Sequence, residues 1–396
     1  MSRDSFHSAA EQLERQAGRI AHPVERLRFL RKHAPAQSVQ PLPLRLVEAQ
    51  PVRFSTWPGP KYYGRRILGG AFAVGLAVVG FQFWARDSER AQGVAVETPP
   101  SPGPAAGKVW LVESSATEEV YSNGLRIRLE FATRHRPRAQ FPIYAWDAGV
   151  AQVAVGRQPR GIVYHTTESD LAPFEEAAGQ RISALTHMLL RFVRRERSYH
   201  YLIDRFGRVY RVVEETDAAN HAGFSVWGDE DGVYMNLNDS FLGVAFEGST
   251  QRREGITAAQ VAAARALTEM LRMRYKIRGE DCVTHAQVSV NPATGRIGNH
   301  LDWARGFPFA ALDLPDNYQA RIPAVEVFGF AHDRDVTRAA GGQDWPGLAE
   351  SQRRLRAAAA EANAGDIRYR GMLRHRYQEI LAEWKQREAA RQTEEN

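Results

Sequence analysis

The chain has a single cysteine, Cys282, so it forms no intramolecular disulfide and its cysteine usage says nothing about redox compartment. A strong charge imbalance is also missing. The formal net charge is +6, and the arginines are spread along the chain rather than clustered with aromatic residues. That argues against nucleic acid as a partner and leaves a mild attraction to anionic surfaces. No internal repeat is visible. Cys282 lies three residues before His285, a spacing that on a strand puts it on the opposite face, and it is read as a small buried hydrophobe.

A long apolar run is present, and there is one: Ile67 to Ala85, ILGGAFAVGLAVVGFQFWA, uncharged and long enough for the hydrocarbon of a bilayer. It lies too far from residue 1 to be an ordinary cleaved signal peptide. Arg45, Arg53, Lys61, Arg65 and Arg66 precede it, whereas the following Arg86 and Arg90 are diluted by Asp87, Glu89 and Glu97. The positive-inside rule therefore predicts a mostly disordered cytoplasmic tail over 1–66, a single-pass inner-membrane helix over 67–85 and a periplasmic remainder. Residues 86–107, with VETPPSPGPAAG, read as a Pro-rich spacer.

Beyond the spacer, 43% hydrophobic and 25% charged residues are the make-up of an ordinary folded protein. Lys108 to Arg134 alternates apolar and polar side chains around Ser122-Asn123-Gly124, a hairpin signal, and a small β extension is predicted over 108–145. Over 146–315, Gly161 to Tyr164 and Leu242 to Glu247 read as strands, Glu175 to Arg197 has helical spacing, and Tyr199 to Glu214 forms a hairpin turning at Arg205-Phe206-Gly207. Thr257 with Gln260 predicts a capped helix. This order gives an α/β fold, a mixed central β-sheet flanked by helices. Residues 316–396 are expected to form a helical extension, a long solvated helix or helical hairpin.

Three residues point to chemistry. His165 ends an apolar strand in GIVYHTT, His285 follows in CVTH, and Asp302 in NHLDW. Two imidazoles and a carboxylate are the ligand set of a hydrolytic zinc site, in which three protein atoms leave the fourth position open. Taken alone each has a plainer reading, as a core histidine or a turn aspartate. His187 and His200 are read as structural.

The blocks GIVYHTTES, SYHYLIDRFGRVYRVVEE, NHAG, LNDSFLGVAFEG, GITAAQ, THAQVSVNP and NHLDWARGFPF resemble, in order, the type 2 N-acetylmuramoyl-L-alanine amidases, which share a fold with phage-type amidases and peptidoglycan-recognition proteins. The resemblance implies that His165, His285 and Asp302 bind Zn²⁺, that Tyr199 stands beside the metal, that His221 faces substrate, and that peptidoglycan or muropeptides are cleaved between N-acetylmuramic acid and L-alanine. Three departures stand out. His285 and Asp302 are further apart than usual, so 286–299 should be an enlarged loop. His300 occupies a position that is often Lys, where it could hydrogen-bond the developing oxyanion. Ala245 stands where many bacterial members have a catalytic Glu, which leaves the base open between Glu247, two residues on and on the same strand face, and Tyr199. Two other readings stay open: a catalytically impaired peptidoglycan-binding module, and a zinc hydrolase of soluble muropeptides. The sequence does not set the oligomeric state.

Overall fold

The structure, a computed structural model, describes residues 108–146, 152–250 and 255–394. The expected tail, membrane span and spacer, 1–66, 67–85 and 86–107, lie outside the described residues. Among the described residues no helix is long and apolar enough to cross a membrane.

Strands β1 (Leu111–Ser114), β2 (Glu118–Tyr121), β3 (Arg126–Arg128), β4 (Phe141–Tyr144), β5 (Gln152–Gly156) and β6 (Gly161–Thr166) lead into helix α1 (Gly179–Arg195). After these come β7 (Tyr201–Ile203), β8 (Val209–Arg211), β9 (Val226–Gly228), β10 (Val233–Met235), β11 (Phe241–Phe246), helix α2 (Ala258–Tyr275) and β12 (Cys282–Thr284). The strands β13 (Val290–Asn291) and β14 (Arg296–Ile297) and the helices α3 (Pro346–Glu361) and α4 (Asp366–Glu394) complete the elements used below.

The central sheet runs β1-β2-β3-β8-β7-β11-β6-β12. Its middle strands are parallel: β11 pairs with both β6 and β7, and β12 pairs with β6. Both β6 (GIVYHT) and β11 (FLGVAF) are buried at every position, the near-continuous apolar run expected of parallel strands covered on two faces. α2 covers one face, packing Leu267, Met270 and Leu271 with Ile162, Tyr164, Leu242 and Val244; Leu190 and Val193 of α1 pack with Leu202 and Ala245 on the other. Thr257 Oγ1 accepts from the Gln260 N–H while the Gln260 side chain accepts from the Thr257 N–H, so the expected capping box starts α2. The expected hairpin forms as β7 and β8, turning where Gly207 has φ +78°, with Ala259 O only 2.5 Å from where a Cβ would sit.

The β extension forms, but not as a separate layer. β1 to β3 prolong the central sheet through the parallel β3–β8 pair, while β4 joins a second sheet of order β5-β4-β10-β9. The C-terminal helices differ more from expectation. Leu348 and Leu355 of α3 and Leu373, Tyr377, Ile380 and Leu381 of α4 are buried in one cluster with Val226, Trp227, Val283 and Val288. The spacing of the α4 residues, i, i+4, i+7 and i+8, is a single helical stripe, so a few apolar side chains suffice to bury one face of an otherwise charged helix.

Thr257→Ala should remove the cap and cost about 1 kcal/mol, a fall of about 2–4 °C in Tm. Thermal unfolding checks this, and an unchanged Tm would show that the box adds nothing to stability.

Candidate functional site

The site forms at the carboxyl ends of the parallel strands, where open α/β sheets bind their ligands. His165 is the fifth residue of β6, His285 begins the helical turn His285–Val288 directly after β12, and Asp302 comes from the segment beyond the β13–β14 hairpin. That hairpin occupies the enlarged loop expected over 286–299. Donor atoms of His165, His285 and Asp302 lie within 4.8 Å of one another, which would let them hold a metal ion. His285 Nδ1 is 3.0 Å from Asp302 Oδ1, and His165 Nδ1 is 3.5 Å from Asp302 Oδ2.

The proton positions follow from the partners. Phe241 O can only accept, so His221 Nε2, 3.3 Å away, carries a proton and leaves His221 Nδ1 as an acceptor. His165 Nε2, 3.2 Å from that Nδ1, is therefore the donor, and the lone pair of His165 is on Nδ1, facing Asp302. His165 Nδ1 is sealed from solvent without a hydrogen-bond partner. A buried imidazole held in one tautomer by an outer partner, with its other nitrogen unsatisfied, suits a metal ligand.

Electrostatics agree. Burial, then the neighbouring His285, pushes His165 down to about 4. Burial would raise Asp302, but His285 and His165 hold it well below the usual carboxylate range. At neutral pH a neutral His165 thus faces an ionised Asp302, the protonation states a metal requires.

Of the other expected residues, Tyr199 is brought to the trio. Its ring centroid is 5.1 Å from that of His165, it is buried, and its backbone is left-handed at φ +62°, an uncommon and costly conformation for an aromatic residue. Burial, then the charges of Asp302 and Glu168, raises the phenol far above its ordinary value, so it stays protonated. His300 stacks on His285 with ring centroids 4.5 Å apart and planes 13° from parallel. His221, expected to face substrate, lines the cleft but is only 3% exposed, and it orients His165 from behind.

Glu247 goes elsewhere. Its buried carboxylate accepts from Thr186 Oγ1 of α1 at 2.8 Å and from the Arg205 N–H at 3.3 Å, and burial raises its pKa. Ala245, level with His165 in the β11–β6 register, is fully buried among Leu190, Val193 and Tyr199. His200 is structural: Nδ1 accepts from the Gly243 N–H at 2.9 Å and Nε2 donates to Asp217 O at 3.0 Å. Exposed His187 meets the ring of Phe131 edge-on. Cys282 is buried in β12, as its spacing from His285 suggested.

Sequence reasoning missed three supports. Asn238 Oδ1 accepts from the N–H groups of His221 (2.9 Å) and Ala222 (2.6 Å), fixing the loop that carries His221. Gly243 gives His221 room, since a Cβ there would lie 2.6 Å from His221 Cγ. Glu168, at φ +45°, accepts from Thr166 Oγ1, Ser249 Oγ and Thr250 and ties the end of β6 to the loop after β11. For Gly243 the signal was a lone glycine inside a strand, which marks close approach.

Residues 155–302 match the family model described as N-acetylmuramoyl-L-alanine amidase, which ends on Asp302. A stretch of 113 residues, 27% of the chain, is 32% identical to the 1,6-anhydro-N-acetylmuramyl-L-alanine amidase AmpD of Haemophilus influenzae. The chain spans 55% of that relative's length. Among solved structures, Escherichia coli AmiD in complex with anhydro-N-acetylmuramic acid-L-Ala-D-γ-Glu-L-Lys is 24% identical, with a TM-score of 0.29, over 41% of this chain and 60% of that one. The endolysin LysCS of Clostridium intestinale is 19% identical, with a TM-score of 0.27, over 47% of this chain and 93% of that one.

Two outcomes are expected. Gly243→Ala should displace the His221 ring, free His165 to rotate and weaken metal binding about 10-fold or more, read by chelator competition; unchanged affinity would mean that His221 does not orient the ligand. The metal-free chain should lose stability as pH falls from about 6.5 to about 4, because there the unfolded chain binds a proton that folded His165 refuses. His200 and His221, both depressed mainly by burial, act in the same direction, and Asp302 extends the loss to lower pH. A flat Tm profile between pH 6.5 and 4 would contradict buried neutral imidazoles.

Proposed function

We propose, from the premise that residues 155–302 are a type 2 N-acetylmuramoyl-L-alanine amidase domain, that the chain is a zinc-dependent peptidoglycan hydrolase cutting the amide between N-acetylmuramic acid and L-alanine. The observation that carries this is the buried, unsatisfied His165 Nδ1 converging with His285 and Asp302. The bond named for the AmpD relative supports the same chemistry here. We further propose that the run 67–85 anchors the chain in the inner membrane with the domain on the periplasmic side, where peptidoglycan lies.

Zn²⁺ held by His165, His285 and Asp302 would supply Lewis acidity to the scissile carbonyl and lower the pKa of water. In the hydrolysis the attacking water gives up one proton and the departing amine takes one up, so the two balance, and the protein's own groups orient the reactants for that exchange. Tyr199, kept protonated, donates a hydrogen bond that orients the attacking water or the carbonyl, and does not serve as a base. His300 donates to the developing oxyanion; one such donor is worth about 3 kcal/mol. Glu247, committed to Thr186 and the Arg205 N–H, steadies the end of β11 against α1.

A second reading, a peptidoglycan-binding module with impaired turnover, draws its support from Ala245, whose methyl lies among apolar side chains beside His165. Digestion of purified sacculi and of soluble muropeptides, with product masses recorded, separates the readings. We expect cleavage that chelator abolishes, and loss of both zinc and activity in His165→Ala. Tyr199→Phe should slow turnover about 10- to 100-fold, and Glu247→Gln much less. The reverse order would return Glu247 to the role of base. Binding to sacculi without release of peptide would establish the impaired module, and cleavage of muropeptides alone would restrict the substrate to soluble fragments.

A further inference from the structure

The cleft that opens on His221, His285 and His300 has a volume of about 1020 Å³, and part of its wall is α4, through Gln378, Leu381, Trp384 and Lys385. This helix begins at Asp366, well beyond the end of the amidase match at Asp302, so the family model assigns it no part in the site.

The wall is fixed before any ligand arrives. α4 is seated by its buried stripe, Leu373, Tyr377, Ile380 and Leu381. Gln378 Nε2 donates to Pro292 O at 3.2 Å, bridging to the β13–β14 hairpin, and Arg387 donates to Tyr144 Oη at 3.2 Å. The Asn236 amide is satisfied with its oxygen 3.0 Å from Trp384 Nε1 and its nitrogen 3.0 Å from Gly223 O, which ties α4 to the loop that carries His221. A preformed wall binds without an ordering cost.

Its charge is one-sided. Among the described residues lining the cleft there is no carboxylate, and the polar groups are amides, imidazoles and the cations Arg136 and Lys385. Arg136 is already paired with Asp239 at 2.7 Å. Lys385 is exposed and has no ion pair among the described residues. A cleft with one unneutralised cation, many amides and no acid selects an anionic, hydrogen-bonding ligand.

We propose that α4 is a substrate-binding wall of the cleft, with Lys385 receiving a carboxylate of the muropeptide stem and Trp384 offering an apolar face beside it. This deepens the amidase reading and rests on it for the identity of the ligand, an acidic peptide joined to muramic acid. The C-terminal helices thereby act in recognition as well as in the core.

The test is calorimetric binding to the full chain in detergent, using a muramoyl peptide with free carboxylates and the same compound with its carboxylates amidated. Lys385→Glu should weaken the free-carboxylate ligand about 5- to 10-fold, more at low salt than at high, and change the amidated one less than about 2-fold. Lys385→Gln should fall between wild type and Lys385→Glu. Arg368→Glu, on an exposed part of α4 that does not line the cleft, should leave both affinities as they are. Equal losses for the two ligands, or none in Lys385→Glu, would overturn the proposal. Turnover is scored separately. A chain that binds with this carboxylate dependence but cleaves neither compound would refute the amidase reading and leave the wall standing. Normal cleavage with unaltered binding in Lys385→Glu would do the opposite.

Discussion

The hydrogen bond from His165 Nε2 to His221 Nδ1 is the constraint on which the site depends. It selects one tautomer of a buried imidazole and leaves the other nitrogen facing Asp302 without a partner. Several parts of the chain distant in sequence converge on it. Phe241 O, at the start of β11, sets the proton on His221; Gly243, two residues on, leaves space for the His221 ring; and Asn238 holds the backbone that presents it. Because β11 lies directly beside β6, the strand that carries the ligand and the strand that shapes its partner are locked in register.

That arrangement costs stability in the metal-free chain. Two imidazoles and a carboxylate occupy a pocket with little solvent, and Tyr199, whose ring lies beside that of His165, and Trp303, next to Asp302 in sequence, both have left-handed backbones, at φ +62° and +58°. Strain and desolvation gathered at one place mark a region kept for chemistry rather than for folding. The remainder of the domain is conventional enough to carry it, with apolar parallel strands, a capped α2 and helices on both faces.

Much of this was legible in the sequence, and the boundary has a physical basis. β6, β11 and α2 could be read because their signals are local: continuous apolar runs and a Thr-x-x-Gln box. The metal trio could be read because its members sit in blocks with their own composition. What could not be read depends on which elements meet. Glu247 shares a strand face with Ala245, but Thr186, on a helix distant in sequence, claims its carboxylate. His221 gave no sign of burial because its cover comes from Asn238 and Gly243. In α4 the apolar positions were visible, yet only their spacing, taken with a groove waiting to receive them, distinguishes a docked helix from a solvated one.

Ala245 shows how these pieces bear on one another. At that place in the register a carboxylate would stand beside His165 with Asp302 already ionised nearby, and two desolvated acids at one centre cannot both hold their charge cheaply. An alanine removes that conflict and instead closes the apolar layer formed by Leu190, Val193 and Tyr199. The groups left around the trio are donors, the Tyr199 phenol and the His300 imidazole, together with Glu168, which its three hydroxyl and amide partners hold at the end of β6. On the proposed reading, assistance to the reaction has thus moved from the centre of the sheet to the loops around it, where side chains are placed by turns and stacking rather than by strand register. Such a site depends more on its surroundings than one built on a strand. It is therefore consistent that the β13–β14 hairpin and α4, which lie against those loops, are themselves tied down by hydrogen bonds and a buried stripe.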